Sequence, residues 1–127
     1  MLKNTLLVGF GGFLGSILRY FTTLFIHKII ITNFPLGTLI INLSGCFVIG
    51  IFYGLFDNGN LLSPNLRLFL IVGLCGGFTT FSAFSNDTIN LVNDSELVYT
   101  MLYVGISVFT GIIMVISGKL IVNYLLQ

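Results

Sequence analysis

The sequence predicts an all-α integral membrane protein with four transmembrane helices in a single domain, residues 1–127. Of its 127 residues, 56% are hydrophobic and 7% are charged, and the mean hydropathy is +1.08. So few charged side chains cannot give a soluble domain a polar surface. Four apolar stretches, each near the ~20 residues that a helix needs to cross a bilayer, use most of the chain. We therefore expect a multi-pass protein of the cell membrane, surrounded by lipid bilayer.

The four predicted spans follow one another with short connectors. The spans cover residues 5–26, 36–56, 66–84 and 97–120, and the connectors cover residues 27–35, 57–65 and 85–96. Turn-forming residues mark the first two connectors, with Pro35 in one and Gly59 and Pro64 in the other. The third connector carries three acidic residues.

The basic residues give only a small orientation signal. With four spans, both termini lie on one side of the membrane, which collects Lys3, Arg67 and Lys119, while the opposite connectors carry only Lys28. Cytoplasmic loops are normally enriched in Lys and Arg, and this enrichment sets the orientation. The sequence therefore allows insertion in both orientations, which is called dual topology.

The third span contains an unusual segment, residues 73–85, which reads GLCGGFTTFSAFS. The paired glycines and paired threonines weaken a helix locally and free backbone carbonyls and hydroxyls to face something polar. In a membrane, such non-helical backbone is tolerated only inside protein or beside a water-filled cavity. We therefore predict that the third helix is broken near its centre, beside a transport pathway.

Small residues four positions apart occur in every span. The pairs are Gly11 and Gly15, Gly50 and Gly54, Gly73 and Gly77, and Ser107 and Gly111. This spacing lets helix backbones approach closely, either within one subunit or between two. Because four helices alone leave little room for a conduit, we expect a homodimer.

Polar side chains in the spans form stripes at helical spacing. Thr38, Asn42 and Gly45 share one face of the second span, and Tyr103, Ser107 and Thr110 repeat that spacing in the fourth. The stripes either join helices by hydrogen bonds or line a pathway. Asn42 is the best candidate for function, because its amide is the costliest of these groups to bury unpaired.

Arg19 is the only cation well inside a predicted span. A guanidinium at the centre of a membrane helix costs roughly 2.5 to 3.5 kcal/mol on insertion scales. Arg19 therefore either reaches the membrane surface with its long side chain or lines an aqueous vestibule, where it would attract anions.

The distribution of acidic residues favours an anion as the transported ion. On this assignment Asp57, Asp87, Asp94 and Glu96 all lie in connectors. Cation channels and proton-coupled exporters generally place a carboxylate within the membrane, whereas an anion pathway should offer donors instead. Phe81 and Phe84 lie three residues apart, and the positive edges of their rings can meet an anion, although packing remains the alternative.

Several other classes of function are excluded. The glycines near Gly11 do not match G-x-G-x-x-G, because position 14 is Leu, and there is no basic stripe, so we expect no nucleotide and no nucleic acid partner. No catalytic group pair lies at membrane depth, so we expect no enzyme. Cys46 and Cys75 lack C-x-x-C spacing and are interpreted as small packing residues.

Three ordered motifs resemble those of the Fluc (CrcB) family of fluoride channels. The segment GGFTTFSAF, residues 76–84, is similar to the family signature GGxTTFSTF. GGFLGSILRY, residues 11–20, and PLGTLIINLSGCFVIG, residues 35–50, resemble the motifs of the first and second spans. The fourth span resembles the family through Tyr103 and Ser107, and together the motifs cover nearly the whole chain.

The resemblance implies an antiparallel, dual-topology homodimer that exports fluoride passively through two pores at the subunit interface and so confers fluoride resistance. It implies a structural sodium ion held by the backbone carbonyls of Gly76 and Thr79. The resemblance makes Phe81 and Phe84 a phenylalanine box, and it extends the pathway with donors and a vestibule cation: Asn42, Ser82, Thr38, Tyr103, Ser107 and Arg19.

Two positions depart from the family pattern, and two rival functions remain. Ala83 replaces the usual threonine and removes a hydroxyl, while Cys46 stands where serine is common. One rival is a small four-helix dual-topology exporter of another substrate, but its first-span glutamate is missing here. The other is a membrane assembly subunit without transport activity, in which all these residues only pack.

Overall fold

The computed structural model describes residues 1–58 and 63–126, and all regular secondary structure in these ranges is helical. Four helices are long and apolar enough to cross a membrane: Leu2–Ile29, Leu36–Asp57, Pro64–Asn93 and Leu97–Leu125. The predicted all-helical membrane fold is confirmed. Each helix is longer than the predicted span, and Gly59, assigned to a connector, lies outside the described residues. We label Leu2–Ile29 α1 and Leu36–Asp57 α2.

The third span consists of two helices. Its first part, α3 (residues 64–78), contains a π-helical stretch at Leu68–Cys75, and its second part, α4, is Phe81–Asn93. Thr79 and Thr80 between them are extended, with ψ of 158° and 115°. The Thr80 hydroxyl accepts the Ala83 N–H at 3.1 Å and caps α4. The predicted break is confirmed, at the threonine pair.

The helix after the break is longer than predicted. We expected this span to end at residue 84, but α4 continues to Asn93 and makes Asp87 a helical residue. Phe84, Thr88 and Leu91 lie at helical spacing, and Leu91 is buried, so packing of one face stabilises a segment whose other face is polar. The prediction that Asp87 lies in a connector is wrong.

The small-residue pairs bring helices together within one subunit. A Cβ atom on Gly11 or Gly15 of α1 would collide with the backbone oxygen of Phe69 or Leu74 in α3. On the other side of the bundle, the fourth span, α5 (Leu97–Leu125), packs against α2, and a Cβ on Gly118 would collide with the backbone oxygen of Phe47. These glycines therefore pack the subunit internally, and they give no support to the inference that they dock a second copy.

A small core lies between α2, α4 and α5 and fixes the position of the helix break. Leu39, Leu91 and Tyr103 are buried together, and Phe34 and Phe84 pack against them. Tyr103 has no exposed surface at all. The segment that follows the break is therefore held against α2 and α5 by aromatic and aliphatic contacts.

Candidate functional site

Asn42 holds the helix break in place. Its Nδ2 donates to the Thr80 carbonyl at 3.0 Å, and its Oδ1 accepts the Thr80 N–H at 2.8 Å. Both backbone groups of Thr80 are thus satisfied by one amide, which lipid could not do. An amide nitrogen carries two N–H donors, so the second remains for another acceptor.

Gly45 and Thr79 fit closely on the same side of the break. A Cβ on Gly45 would collide with the Cγ2 methyl group of Thr79, so only glycine permits this contact. The Thr79 hydroxyl and N–H both donate to the Cys75 carbonyl, at 2.9 Å each. The predicted face of α2 that carries Asn42 and Gly45 therefore faces the break.

A cavity of about 290 Å³ lies beside the break. Four residues predicted for the ion pathway line it: Asn42, Phe81, Phe84 and Ser107. Cys46, Ile49, Thr79, Thr80 and Val108 also line it, and none of the described lining residues carries a charge. The cavity thus combines an amide and hydroxyls with ring edges, the groups predicted for an anion pathway.

The aromatic rings form a continuous series from the cavity into the core. The centroids of Phe81 and Phe84 are 5.6 Å apart, and those of Phe84 and Tyr103 are 5.3 Å apart. Phe34 meets Tyr103 edge to face at 5.6 Å. Phe81, at the outer end of the series, is 78% exposed in the single subunit, so packing within the subunit does not explain its position.

Ser107 lines this cavity and carries an unpaired hydroxyl. Its Oγ is fully buried and has no hydrogen-bond partner among the described residues. A buried hydroxyl without a partner costs free energy, and groups of this kind commonly mark a ligand or an ordered water.

A second cavity, of about 500 Å³, holds three other predicted site residues. Arg19, Thr38 and Ser82 line it, together with Thr23, Ile41, Thr80, Ala83 and Asn86. Thr80 lines both cavities, so both border the helix break. The Thr80 and Ser82 hydroxyl oxygens are 3.1 Å apart. Ala83, which lacks the family's hydroxyl, faces this second cavity beside Asn86.

The structure thus divides the residues predicted for the ion pathway into three groups. Asn42, Phe81, Phe84 and Ser107 meet at the first cavity, and Arg19, Thr38 and Ser82 meet at the second. Tyr103 lies buried between the aromatic rings and lines neither cavity.

Sequence reasoning missed two residues near these cavities. Cys46, interpreted as a packing residue, lies one turn after Asn42 and lines the first cavity; that spacing could have indicated it. Asp87 accepts a hydrogen bond from the Thr38 hydroxyl at 2.6 Å, and the Tyr103 hydroxyl donates to the same oxygen at 3.4 Å. Asp87 was missed because the predicted third span ended at residue 84, three residues before it.

The break also exposes carbonyl groups. The Thr80 N–H, which would bond to the Gly76 carbonyl in a continuous helix, donates to Asn42 instead. Carbonyls at the C-terminal end of a helix carry partial negative charge, and Gly76 is exposed on the subunit surface. The described residues contain no group of three or more His, Cys, Asp or Glu side chains that could hold a metal ion, and the break itself offers backbone and hydroxyl oxygens.

Comparisons with known proteins agree with this geometry. The family model described as CrcB-like protein, Camphor Resistance (CrcB), matches residues 6–119. A protein of Flavobacterium psychrophilum named fluoride-specific ion channel FluC is 45% identical over 124 residues, which cover 98% of this chain and 100% of the relative. A protein of the same name from Azobacteroides pseudotrichonymphae is 41% identical, with coverage of 98% and 99%. One from Chlorobaculum tepidum is 45% identical, with coverage of 95% for both chains.

Proposed function

Because this chain belongs to the CrcB-like protein family, we propose that it is a fluoride-selective ion channel that exports fluoride from the cytoplasm passively. It is a multi-pass protein of the cell membrane. The observation that carries the proposal is the first cavity, where Asn42, Phe81, Phe84 and Ser107 meet without any charged lining residue among those described. Relatives that match nearly the full length are named fluoride-specific ion channels, and ion passage is not an enzymatic reaction.

The chemistry of the cavity suits a small, strongly hydrated anion. Moving a bare anion into an apolar medium costs on the order of tens of kcal/mol, so donors along the route must replace its water step by step. The second N–H of Asn42 supplies one such donor, and the edges of Phe81 and Phe84 supply weak ones, while Ser107 lines the same cavity. Weak ligands also release the ion again, which conduction requires. Arg19 lies in the second cavity, where it would concentrate anions before they lose water.

We propose a homodimer with antiparallel, dual-topology subunits as the conducting unit. Phe81 lines the first cavity, yet 78% of its surface is exposed in one subunit. A single subunit therefore leaves the cavity open on the side of Phe81. A second copy would close the cavity and bury the ring. The glycine faces do not support a homodimer, because they pack helices against each other within one subunit. The small difference in Lys and Arg between the two sides is compatible with antiparallel insertion.

We propose a structural sodium ion at the helix break, held by the carbonyls of Gly76 and Thr79. The donor set fits, because Gly76 has lost its usual helical donor to Asn42 and a hard cation prefers oxygen ligands. When bound, the ion would neutralise partial negative charges that two copies of the break bring together. Its own test is replacement of sodium by N-methylglucamine during purification, with dimer content measured by size-exclusion chromatography alongside flux.

A flux measurement in liposomes tests the function. Purified protein is reconstituted into vesicles loaded with potassium fluoride, and valinomycin is added to set the membrane potential while a fluoride electrode follows release. We expect rapid fluoride release and none of chloride from matched vesicles. Release that requires an opposing gradient of another solute would favour an exporter that works by exchange. A folded dimer that releases no fluoride would favour an assembly subunit.

A further inference from the structure

Asp87 is a carboxylate at membrane depth that the proposed function does not use. It lies six residues after Phe81, which begins α4 near the middle of the third span. With the helix break taken as the centre of the bilayer, six helical residues advance about 9 Å toward a boundary about 15 Å away, which would place the carboxylate inside the hydrophobic layer. Ionisable groups at such depth are costly and usually functional.

Two hydroxyl groups, not a cation, face the Asp87 carboxylate. The Thr38 hydroxyl donates to Oδ2 at 2.6 Å, the short distance typical of a charge-assisted bond. The Tyr103 hydroxyl lies 3.4 Å from the same oxygen and makes a longer, weaker contact. Among the described residues no cation forms a salt bridge with Asp87. The salt bridge in these ranges joins Lys119 and Asp57, at the opposite end of the bundle.

These contacts change what Thr38 and Tyr103 can offer to an anion. A hydroxyl has one proton to donate, and the Oδ2 acceptor of Asp87 lies within hydrogen-bond distance of both hydroxyls. The lone pairs that remain repel an anion. The two residues were expected to be fluoride ligands, but in this arrangement the carboxylate occupies the position of an anion beside them.

The same contacts fix the aromatic series. Tyr103 is fully buried, and its ring lies 5.3 Å from Phe84 and 5.6 Å from Phe34, measured between centroids. Its hydroxyl is tied to α4 through Asp87, three residues after Phe84 on the same helix. The orientation of Tyr103 therefore limits how Phe84 can move at the wall of the first cavity.

We propose that Asp87 is a positioning residue of the ion pathway. Its carboxylate holds the hydroxyls of Thr38 and Tyr103 and so keeps the Tyr103 ring against Phe84. Its negative charge also prevents fluoride from binding tightly at this end, which favours rapid release. The inference rests on the proposed function, and it assigns Asp87 a part in setting how weakly fluoride is held.

Fluoride concentration dependence tests the role of Asp87. Initial flux is measured at increasing internal fluoride for the parent, Asp87→Asn, Asp87→Glu and the control Asp94→Asn. Asp94 is exposed just after the end of α4, so its substitution removes one charge without touching the pathway. We expect Asp87→Asn to lower the half-saturating fluoride concentration roughly tenfold, equivalent to about 1.4 kcal/mol, and to lower the maximal rate. Asp87→Glu should restore much of the parent's behaviour. Equal half-saturation in Asp87→Asn and Asp94→Asn would overturn the inference.

A double-mutant cycle shows whether Asp87 acts through Tyr103. Tyr103→Phe is measured alone and combined with Asp87→Asn, and the effects on maximal rate should be clearly less than additive. Additive effects would refute the positioning role. If Asp87→Asn does not yield a folded dimer, Thr38→Val with Tyr103→Phe replaces it, because that pair removes both hydroxyls and leaves the charge.

The outcome for the parent separates this inference from the proposed function. If the parent releases no fluoride, the proposed function fails. Thermal unfolding in detergent then tests whether the contacts of Asp87 with Thr38 and Tyr103 stabilise the fold. In that measurement, Asp87→Asn and Tyr103→Phe should again be less than additive, and Asp94→Asn should match the parent.

Discussion

The substitution Asn42→Leu tests whether the helix break depends on one amide. Leucine has a similar volume but cannot bond to the backbone, so both the N–H and the carbonyl of Thr80 lose their partner. Hydrogen bonds between membrane helices are worth about 0.6 kcal/mol on average and up to about 1.7 kcal/mol. The two bonds together therefore give an expected loss of about 1 to 3 kcal/mol.

Unfolding of Asn42→Leu is measured in mixed micelles of sodium dodecyl sulphate and a non-ionic detergent, followed by circular dichroism. The matched control is Ser44→Ala, because the Ser44 hydroxyl bonds to the Ile41 carbonyl of its own helix and to no other of the described residues. The control should stay within about 0.5 kcal/mol of the parent. Fluoride flux of Asn42→Leu should fall as well, since the variant loses a donor in the first cavity. Parent-like stability together with parent-like flux would show that neither the break nor the pathway depends on this amide.

Three further substitutions probe the aromatic wall, the helix packing and the exposed ion pair. Phe81→Ile should lower fluoride flux on the order of tenfold and leave unfolding of the subunit little changed, because the ring is 78% exposed; flux equal to the parent would remove Phe81 from the pathway. Gly118→Leu should destabilise the protein by about 1 to 3 kcal/mol, because its side chain would collide with the backbone of α2. Gly9→Ala, with nothing within 4 Å of the new Cβ, should not, and equal unfolding of these two glycine variants would contradict the packing described. Lys119→Met should change unfolding by less than about 1 kcal/mol, because the side chains of its ion pair with Asp57 are 46% and 53% exposed; a larger loss would mean that the pair is shielded in the assembled protein.

Helical periodicity placed Asn42 and Gly45 on one face of α2, but Thr38, predicted for the same face, lines the second cavity. Asn42 and Gly45 face the break as the spacing predicted, because a helix fixes the angular position of each side chain. Composition also placed a break within residues 73–85, and the structure puts it at Thr79 and Thr80, where hydroxyl groups compete with the helical hydrogen bonds. Both features depend on the local sequence, so they could be predicted without knowing which helices pack against it.

The third span was predicted to end too early, at residue 84, and this error left Asp87 out of the predicted site. The residues after Phe84 include Ser85, Asn86 and Asp87, and their polarity indicated a connector. The helix persists because Leu91 is buried against the core formed with Leu39 and Tyr103. That stabilisation comes from residues distant in the sequence, and average hydropathy does not register it.

The sequence by itself determined that this is a membrane protein with four spans, that the third span is broken, and that Asn42 and Gly45 share a face of α2. These features follow from composition and periodicity along one chain. Only the tertiary structure decided that the glycine pairs pack one subunit internally, that the polar residues divide between two cavities, and that Thr38 and Tyr103 bond to Asp87. Each of these depends on which helix lies opposite, and a pattern within one helix carries no information about its partner.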